Sequence, residues 1–173
     1  MWTWVANKWC MGGDGRAAGC TGGVGLCCVG PALTKSAYFA ISKPAGNPCL
    51  NLRDDDRCSI HSELRPQGFT GCTVYDCFGA GQQVSQVTFA GRSWRDGKGT
   101  AKQMFVVFDL MRSLHELLWY IDEAIELADG QLKQALVAEQ MTITELTELP
   151  IDDLERLELA AHRQRANVLL NQA

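Results

Sequence analysis

TAKQMFVVFDLMRSLHELLWYIDEAIELAD, residues 100–129, is the stretch that decides the fold. Its apolar residues recur every three or four positions, as they do on one face of an α-helix. They are Met104, Phe108, Met111, Leu114, Leu118, Ile121 and Ile125. Charged residues such as Arg112 and Glu116 fill other faces, and Asp129-Gly130 is a helix stop signal. The spacing therefore predicts one long helix that packs into a core.

Further helices are predicted after this stretch. A shorter helical segment covers residues 131–140, and residues 142–145 with Pro150 indicate a connection. Either aspartate of residues 152–153 is suited to cap a last helix. The apolar positions of that helix are Leu154, Leu157, Leu159, Ala161, Val168 and Leu169. We expect residues 100–173 to form a two- or three-helix tail whose outer face offers a surface to a protein partner.

Residues 1–99 have a different composition. Most of the 17 glycines lie there, so little regular structure is expected. Short extended segments are predicted at residues 38–41 and 83–89, where side chains alternate in character. All eight cysteines also lie in this part, and none follows Cys77. A segment with so few periodic apolar residues needs a cross-link or a bound ion to hold one structure.

The cysteines indicate a metal centre. The N-terminus lacks the apolar stretch of a secretory signal, so a reducing, cytoplasmic setting is expected, where thiols bind metals rather than form disulfides. Cys10 is set aside because Met11 is an alternative start. The predicted ligands are Cys20, Cys27, Cys28, Cys49, Cys58, Cys72 and Cys77.

The identity of the metal follows from the kind and spacing of the donors. Thiolates bind iron–sulfur clusters, iron or zinc in preference to hard cations. No two cysteines have the Cys-x2-Cys spacing of zinc ribbons, and the glycines before Cys27 let backbone N–H groups approach sulfur, as around iron–sulfur clusters. An iron–sulfur cluster or iron is therefore favoured over zinc. His61, within the cysteine region, is interpreted as a surface residue.

Several classes of function are disfavoured. The net charge of −4 and the pI of about 5.3 lack the basic footprint of nucleic-acid binding. No run of about 18 apolar residues predicts a membrane span. No nucleophile elbow, Walker loop or HExxH motif supports an enzyme. Residues 54–56 are expected to form a solvated acidic turn, and residues 91–98 a surface hairpin.

Short strings resemble two known families. Residues 49–52 (CLNL), 57–61 (RCSIH) and 64–66 (LRP), followed by Cys72, resemble the Cys-x-x-Cys-Cys family described as zinc- or iron-chelating. The resemblance implies a metal-binding cysteine region without naming a reaction.

The second resemblance covers most of the chain. Residues 43–46 (KPAG), 68–72 (GFTGC) and 75–82 (YDCFGAGQ) are similar to the N-terminal region of certain bacterial pentapeptide-repeat proteins. The similarity extends through residues 114–120 (LHELLWY) to 161–163 (AHR). The repeats themselves are absent from this sequence. The chain also departs from the first family, because six residues rather than two separate Cys20 from the Cys27-Cys28 pair.

These observations predict an α-rich α+β protein of two parts. An irregular cysteine-rich metal-binding module, residues 1–99, precedes a helical tail, residues 100–173. We expect the centre to be structural and the helices to contact a partner. The alternatives are a redox or metal-sensing iron–sulfur protein that acts as an enzyme accessory, and a disulfide-stapled protein.

Overall fold

The protein is mostly helical in the computed structural model, which describes residues 23–173. The α-helices of this part are α1 Leu26–Val29, α2 Thr70–Val74, α3 Ala80–Gln82, α4 Lys98–Leu127, α5 Gly130–Thr147, α6 Ile151–Leu154 and α7 Leu159–Leu170. A π-helical turn, Gln83–Thr88, continues α3, and 3-10 turns lie at His61–Glu63 and Trp94–Asp96. The predicted ligand Cys20 lies outside the described residues, as does Cys10.

The central helix is α4, and it confirms the long helix predicted from residues 100–129. Its buried residues are Met104, Val107, Phe108, Met111, Leu114, His115, Leu117, Ile121 and Ala124. Leu118 and Ile125, predicted on the same face, are half-buried and pack against the others. The helix ends close to the predicted stop, because Ala128 has extended backbone angles (φ −86°, ψ 152°).

The next helix, α5, is longer than predicted. Residues 142–145, expected to be a connection, are helical, so that prediction is wrong. The hydroxyls of Thr142 and Thr144 donate to carbonyls four residues earlier, at 3.1 and 2.8 Å. These bonds satisfy the threonine hydroxyls inside the helix. Ile143 between them is fully buried, which gives this turn its place in the core.

The last predicted helix is divided in two. α6 is a short turn whose Leu154 is buried, and α7 follows as a longer helix. In α7 the buried residue is Ala166, whereas Val168, predicted as an apolar contact, is 56% exposed. Helices α4, α5 and α7 contact one another in pairs. The predicted helical tail is confirmed, with α6 as part of a connection.

One apolar cluster, here called the main core, joins this tail to the preceding residues. The buried residues that it takes from before residue 99 are Leu26, Ala80, Val84 and Phe89. Phe108 of α4 lies against the backbone there. Its ring is 3.1 Å from the position that a Cβ on Gly30 would take, and 3.8 Å from the same position at Gly81. The boundary predicted at residue 99 stays a prediction.

The extended segments predicted before α4 are wrong. Residues 38–41 form bends, and residues 83–88 are a π-helical turn. Val84 and Ser85 are adjacent in sequence yet both buried, which the alternation of a half-buried strand does not allow. Ser85 Oγ also donates to the carbonyl of Gly81 at 2.7 Å, a bond back along a helix.

The β pairing within residues 23–173 consists of isolated bridges alone. Two antiparallel bridges join Leu33 to Lys43 and Leu52 to Cys58. The α-rich part of the predicted class is therefore confirmed, while the described residues form no sheet. Turns, rather than strands, order the chain between α1 and α2.

Residues 91–98 do not form the predicted hairpin. Ser93 and Asp96 build a reciprocal capping box around a 3-10 turn. Trp94, inside that turn, donates its indole N–H to the carbonyl of Val24 at 2.7 Å and packs against the main core. Because the Trp94 ring is hydrogen-bonded to Val24 and packs against the main core, this segment is part of the fold rather than a surface hairpin.

Candidate metal centre

Helix α1 carries the adjacent Cys27 and Cys28. Gly25 precedes the helix with φ 67°, a left-handed conformation that favours glycine, and a Cβ there would lie 2.8 Å from Leu52 Cδ1. Leu26 fixes the helix in the main core. Successive helical residues point about 100° apart, so the two thiols have different neighbours although their Sγ atoms are 4.0 Å apart.

The loop that precedes Cys49 docks on the end of α1. The N–H of Gly46 is shared between the carbonyls of Val29 and Gly30, at 3.0 and 3.1 Å. The N–H of Cys49 then donates to the carbonyl of Cys28 at 3.0 Å. These bonds bring two predicted ligands, distant in sequence, beside each other.

Cys49 belongs to a second apolar cluster, here called the cysteine-side core. Its buried residues are Cys49, Leu64 and Phe69, and the half-buried residues packed on them are Cys28, Phe39, Ile41, Cys58 and Ile60. The cluster is small, and the turns that carry its residues are closed largely by backbone hydrogen bonds.

Cys58 reaches this core from an acidic turn. The turn is closed by the bridge between Leu52 and Cys58 and by the N–H of Arg57, which donates to Asp55 Oδ1 at 3.1 Å. Residues 54–56 lie in a surface turn, as predicted. The turn places Cys58, half-buried, against the other members of the cysteine-side core.

Cys72, on α2, interacts with two of these cysteines. Burial raises the pKa of its thiol, and the charges of Cys49 and Cys58 raise that pKa further. The thiols of Cys49 and Cys58 are therefore near enough to act on Cys72 electrostatically. Helix α2 comes close because residue 71 is glycine: a Cβ on Gly71 would lie 2.3 Å from Phe39 Cζ.

The other two described cysteines lie near Tyr75. Burial raises the pKa of the Tyr75 hydroxyl above its ordinary value; Arg112 lowers it, and the charges of Cys77 and Cys27 raise it again. The Arg112 guanidinium is 5.7 Å from the centre of the Tyr75 ring. By these interactions the thiols fall into two sets, a group of four and a pair, and the 4.0 Å contact between Cys27 Sγ and Cys28 Sγ joins the two sets. The group of four is Cys28, Cys49, Cys58 and Cys72, and the pair is Cys27 and Cys77.

A buried lysine, Lys43, lies beside the group of four, and nothing in the sequence marks it as part of a site. Lys43 is 7% exposed, and its Nζ donates to three backbone carbonyls. These belong to Val29 (3.0 Å), Pro31 (2.5 Å) and Pro44 (3.3 Å). Burial lowers the pKa of Lys43, while the charges of Cys49 and Cys28 oppose that change. No residue pattern marks a lysine as buried, so only the fold reveals it.

The fit of a metal ion to these thiols rests on the chemistry of the donors. Within residues 23–173 no group of three or more His, Cys, Asp or Glu side chains is arranged so that it could hold a metal ion. Cys28, Cys49 and Cys72 carry no disulfide, and His61 is exposed. The group of four offers sulfur alone, which suits iron or zinc rather than magnesium or calcium. The thiols would draw closer together around such an ion.

Comparison with known proteins gives one informative relative. No protein-family profile matches the chain, and no solved structure matches it. The chain is 44% identical over 155 residues to the uncharacterized protein YybG of Bacillus subtilis strain 168. The alignment covers 87% of this chain and 54% of YybG, so the chain spans about half the length of that relative. Across the described residues, no helix has both the length and the apolar character needed to cross a membrane.

Proposed function

We propose that this chain binds iron, as an iron–sulfur cluster or a single ion, or else zinc, through cysteine thiolates, and that the centre is structural. One observation carries the proposal: Cys28, Cys49 and Cys58 come from three backbone segments and pack in the cysteine-side core, and Cys49 and Cys58 act electrostatically on Cys72, which lies on a fourth segment. A metal bound by four thiolates adds free energy of folding and cross-links distant segments. It would add stability to the small cysteine-side core.

The electrostatics of the group support the same conclusion. Burial, and then the charges of Cys49 and Cys58, raise the pKa of Cys72, so ionising all of these thiols together is unfavourable without a cation. A metal ion removes that repulsion and binds the deprotonated form. Lys43 adds a positive charge on the side of Cys28 and Cys49.

The helices are proposed to present the partner surface. On α4 the side chains of Trp119 and Tyr120 are 42% and 46% exposed. Their ring centres are 5.0 Å apart, and the Trp119 ring is 6.0 Å from that of Phe78, which follows Cys77. Exposed aromatic side chains of this kind are enriched in protein interfaces.

Metal content tests the proposal directly. The full chain is purified without oxygen, and its iron and zinc are measured together with its visible absorption spectrum. Brown protein with stoichiometric iron supports a cluster, and colourless protein with zinc supports a zinc site. Neither metal above background would reject the proposal, and the additional absence of titratable thiols would favour the disulfide alternative.

Variants then assign the ligands. Cys49→Ser and Cys58→Ser each remove one thiol from the group of four and are expected to lose bound metal. Cys10→Ser is the matched control, because it makes the same chemical change at a cysteine that is not among the predicted ligands. It is expected to keep the metal. Full retention by Cys49→Ser and Cys58→Ser would contradict the assignment of the group of four.

A further inference from the structure

Lys43 is a positive charge inside the protein, and its surroundings alone establish this. A carbonyl oxygen accepts hydrogen bonds and cannot donate them, so three carbonyls around one nitrogen require three N–H groups. A lysine has three only in its ammonium form. The side chain is 7% exposed, so water does little to stabilise that charge.

The acidic side chains that act on this ammonium are cysteine thiols. Among the ion pairs within residues 23–173, none includes Lys43. A charge is costly to bury unless it is paired. The thiols whose ionised form would act on Lys43 are those of Cys49 and Cys28, and Cys28 directly precedes Val29, whose carbonyl accepts from Lys43 Nζ.

Backbone contacts fix the position of the charge. Lys43 pairs with Leu33 in an antiparallel bridge, with both hydrogen bonds formed, at 2.9 and 3.0 Å. The carbonyl of Val29 accepts from Lys43 Nζ and also from the N–H of Gly46. The ammonium is therefore held at the end of α1, directly after the residue pair that contributes Cys28.

We propose that Lys43 is the fixed countercharge of the cysteine-bound metal centre, a positioning residue that raises the affinity of the thiolates for the metal without touching it. The inference rests on the proposed function. Four thiolates around a divalent ion carry a net negative charge, and a neighbouring ammonium stabilises that complex in a medium of low dielectric constant. The same charge favours the reduced, Fe²⁺ form of a bound iron ion, because the Fe²⁺ complex with the thiolates has the more negative net charge.

The first test measures zinc affinity on the full chain by competition with a chelator. Lys43→Met keeps the apolar stem and removes the charge, and it is expected to weaken zinc binding at least about tenfold. Lys35→Met is the matched control: Lys35 is exposed, and its backbone N–H donates to the hydroxyl of Ser42 at 2.9 Å, a bond that the substitution leaves in place. Its affinity is expected to stay within about twofold of the wild type.

The second test separates charge from the fastening of the backbone. Lys43→Gln retains N–H donors for the surrounding carbonyls without the positive charge, and it is expected to bind zinc as weakly as Lys43→Met. In protein loaded with ferrous iron, removal of the charge is expected to lower the midpoint potential for one-electron reduction of Fe³⁺ to Fe²⁺. If Lys43 only held the backbone in place, loss of its charge would not be expected to lower the midpoint potential.

The outcomes distinguish this inference from the proposed function. Wild-type affinity and potential in both Lys43 variants would overturn the countercharge role while metal binding stands. Recovery of affinity in Lys43→Gln but not in Lys43→Met, or loss of the metal-free fold in both by circular dichroism, would make Lys43 a fastening of the backbone and overturn the inference. A wild-type chain that binds neither metal would reject both proposals.

Discussion

Replacing Gly25 with alanine combines two costs that the structure allows us to separate. The φ of 67° places residue 25 in the left-handed region, which costs an L-residue about 1–2 kcal/mol. The new Cβ would lie 2.8 Å from Leu52 Cδ1 and 3.3 Å from the carbonyl oxygen of Asp56. The leucine can rotate in part, but the backbone carbonyl cannot, so overpacking adds about 1 kcal/mol. We expect the free energy of unfolding to fall by about 2–3 kcal/mol.

Two other glycines serve as controls. Gly91 has φ 81° with no atom within 4 Å of an added Cβ, so Gly91→Ala measures the backbone cost alone, about 1–2 kcal/mol. Gly99 lies in the first turn of α4, also in open space, so Gly99→Ala is expected to stabilise the protein by up to about 1 kcal/mol. Urea unfolding followed by circular dichroism gives each value, provided that the slope with denaturant is unchanged.

The difference in the free energy of unfolding between Gly25→Ala and Gly91→Ala measures the cost of the contact with Leu52. Equal losses for Gly25→Ala and Gly91→Ala would show that the contact with Leu52 costs nothing, and no loss for either would refute the left-handed backbone at both sites. Because α1 begins directly after Gly25, the reaction of Cys27 and Cys28 with a thiol reagent is expected to quicken in Gly25→Ala only.

Two further predictions concern α4. Phe108→Ala should lower the free energy of unfolding by about 3–5 kcal/mol, because the ring is fully buried, whereas Val106→Ala, at a half-exposed position, should change it by less than about 0.5 kcal/mol; similar losses in urea titrations would contradict the main core. His115 is buried, with Nδ1 donating to the carbonyl of Phe78 at 2.7 Å, and burial lowers its pKa below 6.5 although that bond opposes the change. The unfolded chain therefore takes up a proton at a higher pH than the folded one, so stability should fall as the pH drops below 6.5. The pH dependence should flatten in His115→Gln, and an unchanged profile would refute this assignment.

The sequence predicted the elements whose signals are local. The spacing of apolar residues along α4 is regular, and Asp129-Gly130 follows it, so its length was predicted closely. The threonines at 142 and 144 misled because their preference for turns gave way to back-bonding within α5 and to the burial of Ile143. Alternation over residues 83–89 was a weak signal, since packing against α4 buried neighbouring residues instead.

The candidate site depended on contacts between distant residues. The sequence predicted the cysteines as ligands, but it left open which of them meet. In the fold Cys27 and Cys28 act on different residues, Tyr75 and Lys43, although their Sγ atoms are 4.0 Å apart. Lys43 could not be predicted, since its three acceptors are backbone carbonyls that any residue could provide. Trp94 was misread for the same reason: its partner is a carbonyl far away in the chain.

The burial of Leu26 gives the four thiols unequal anchorage in the fold. Cys28 sits next to a side chain anchored among the helices, while Cys49 and Cys58 belong to turns and Cys72 to a helix of one turn. If the proposed centre forms, the loss of chain entropy on binding would fall mainly on the turns that carry Cys49 and Cys58 rather than on α1. Loss of the metal would then be expected to loosen those turns before α1.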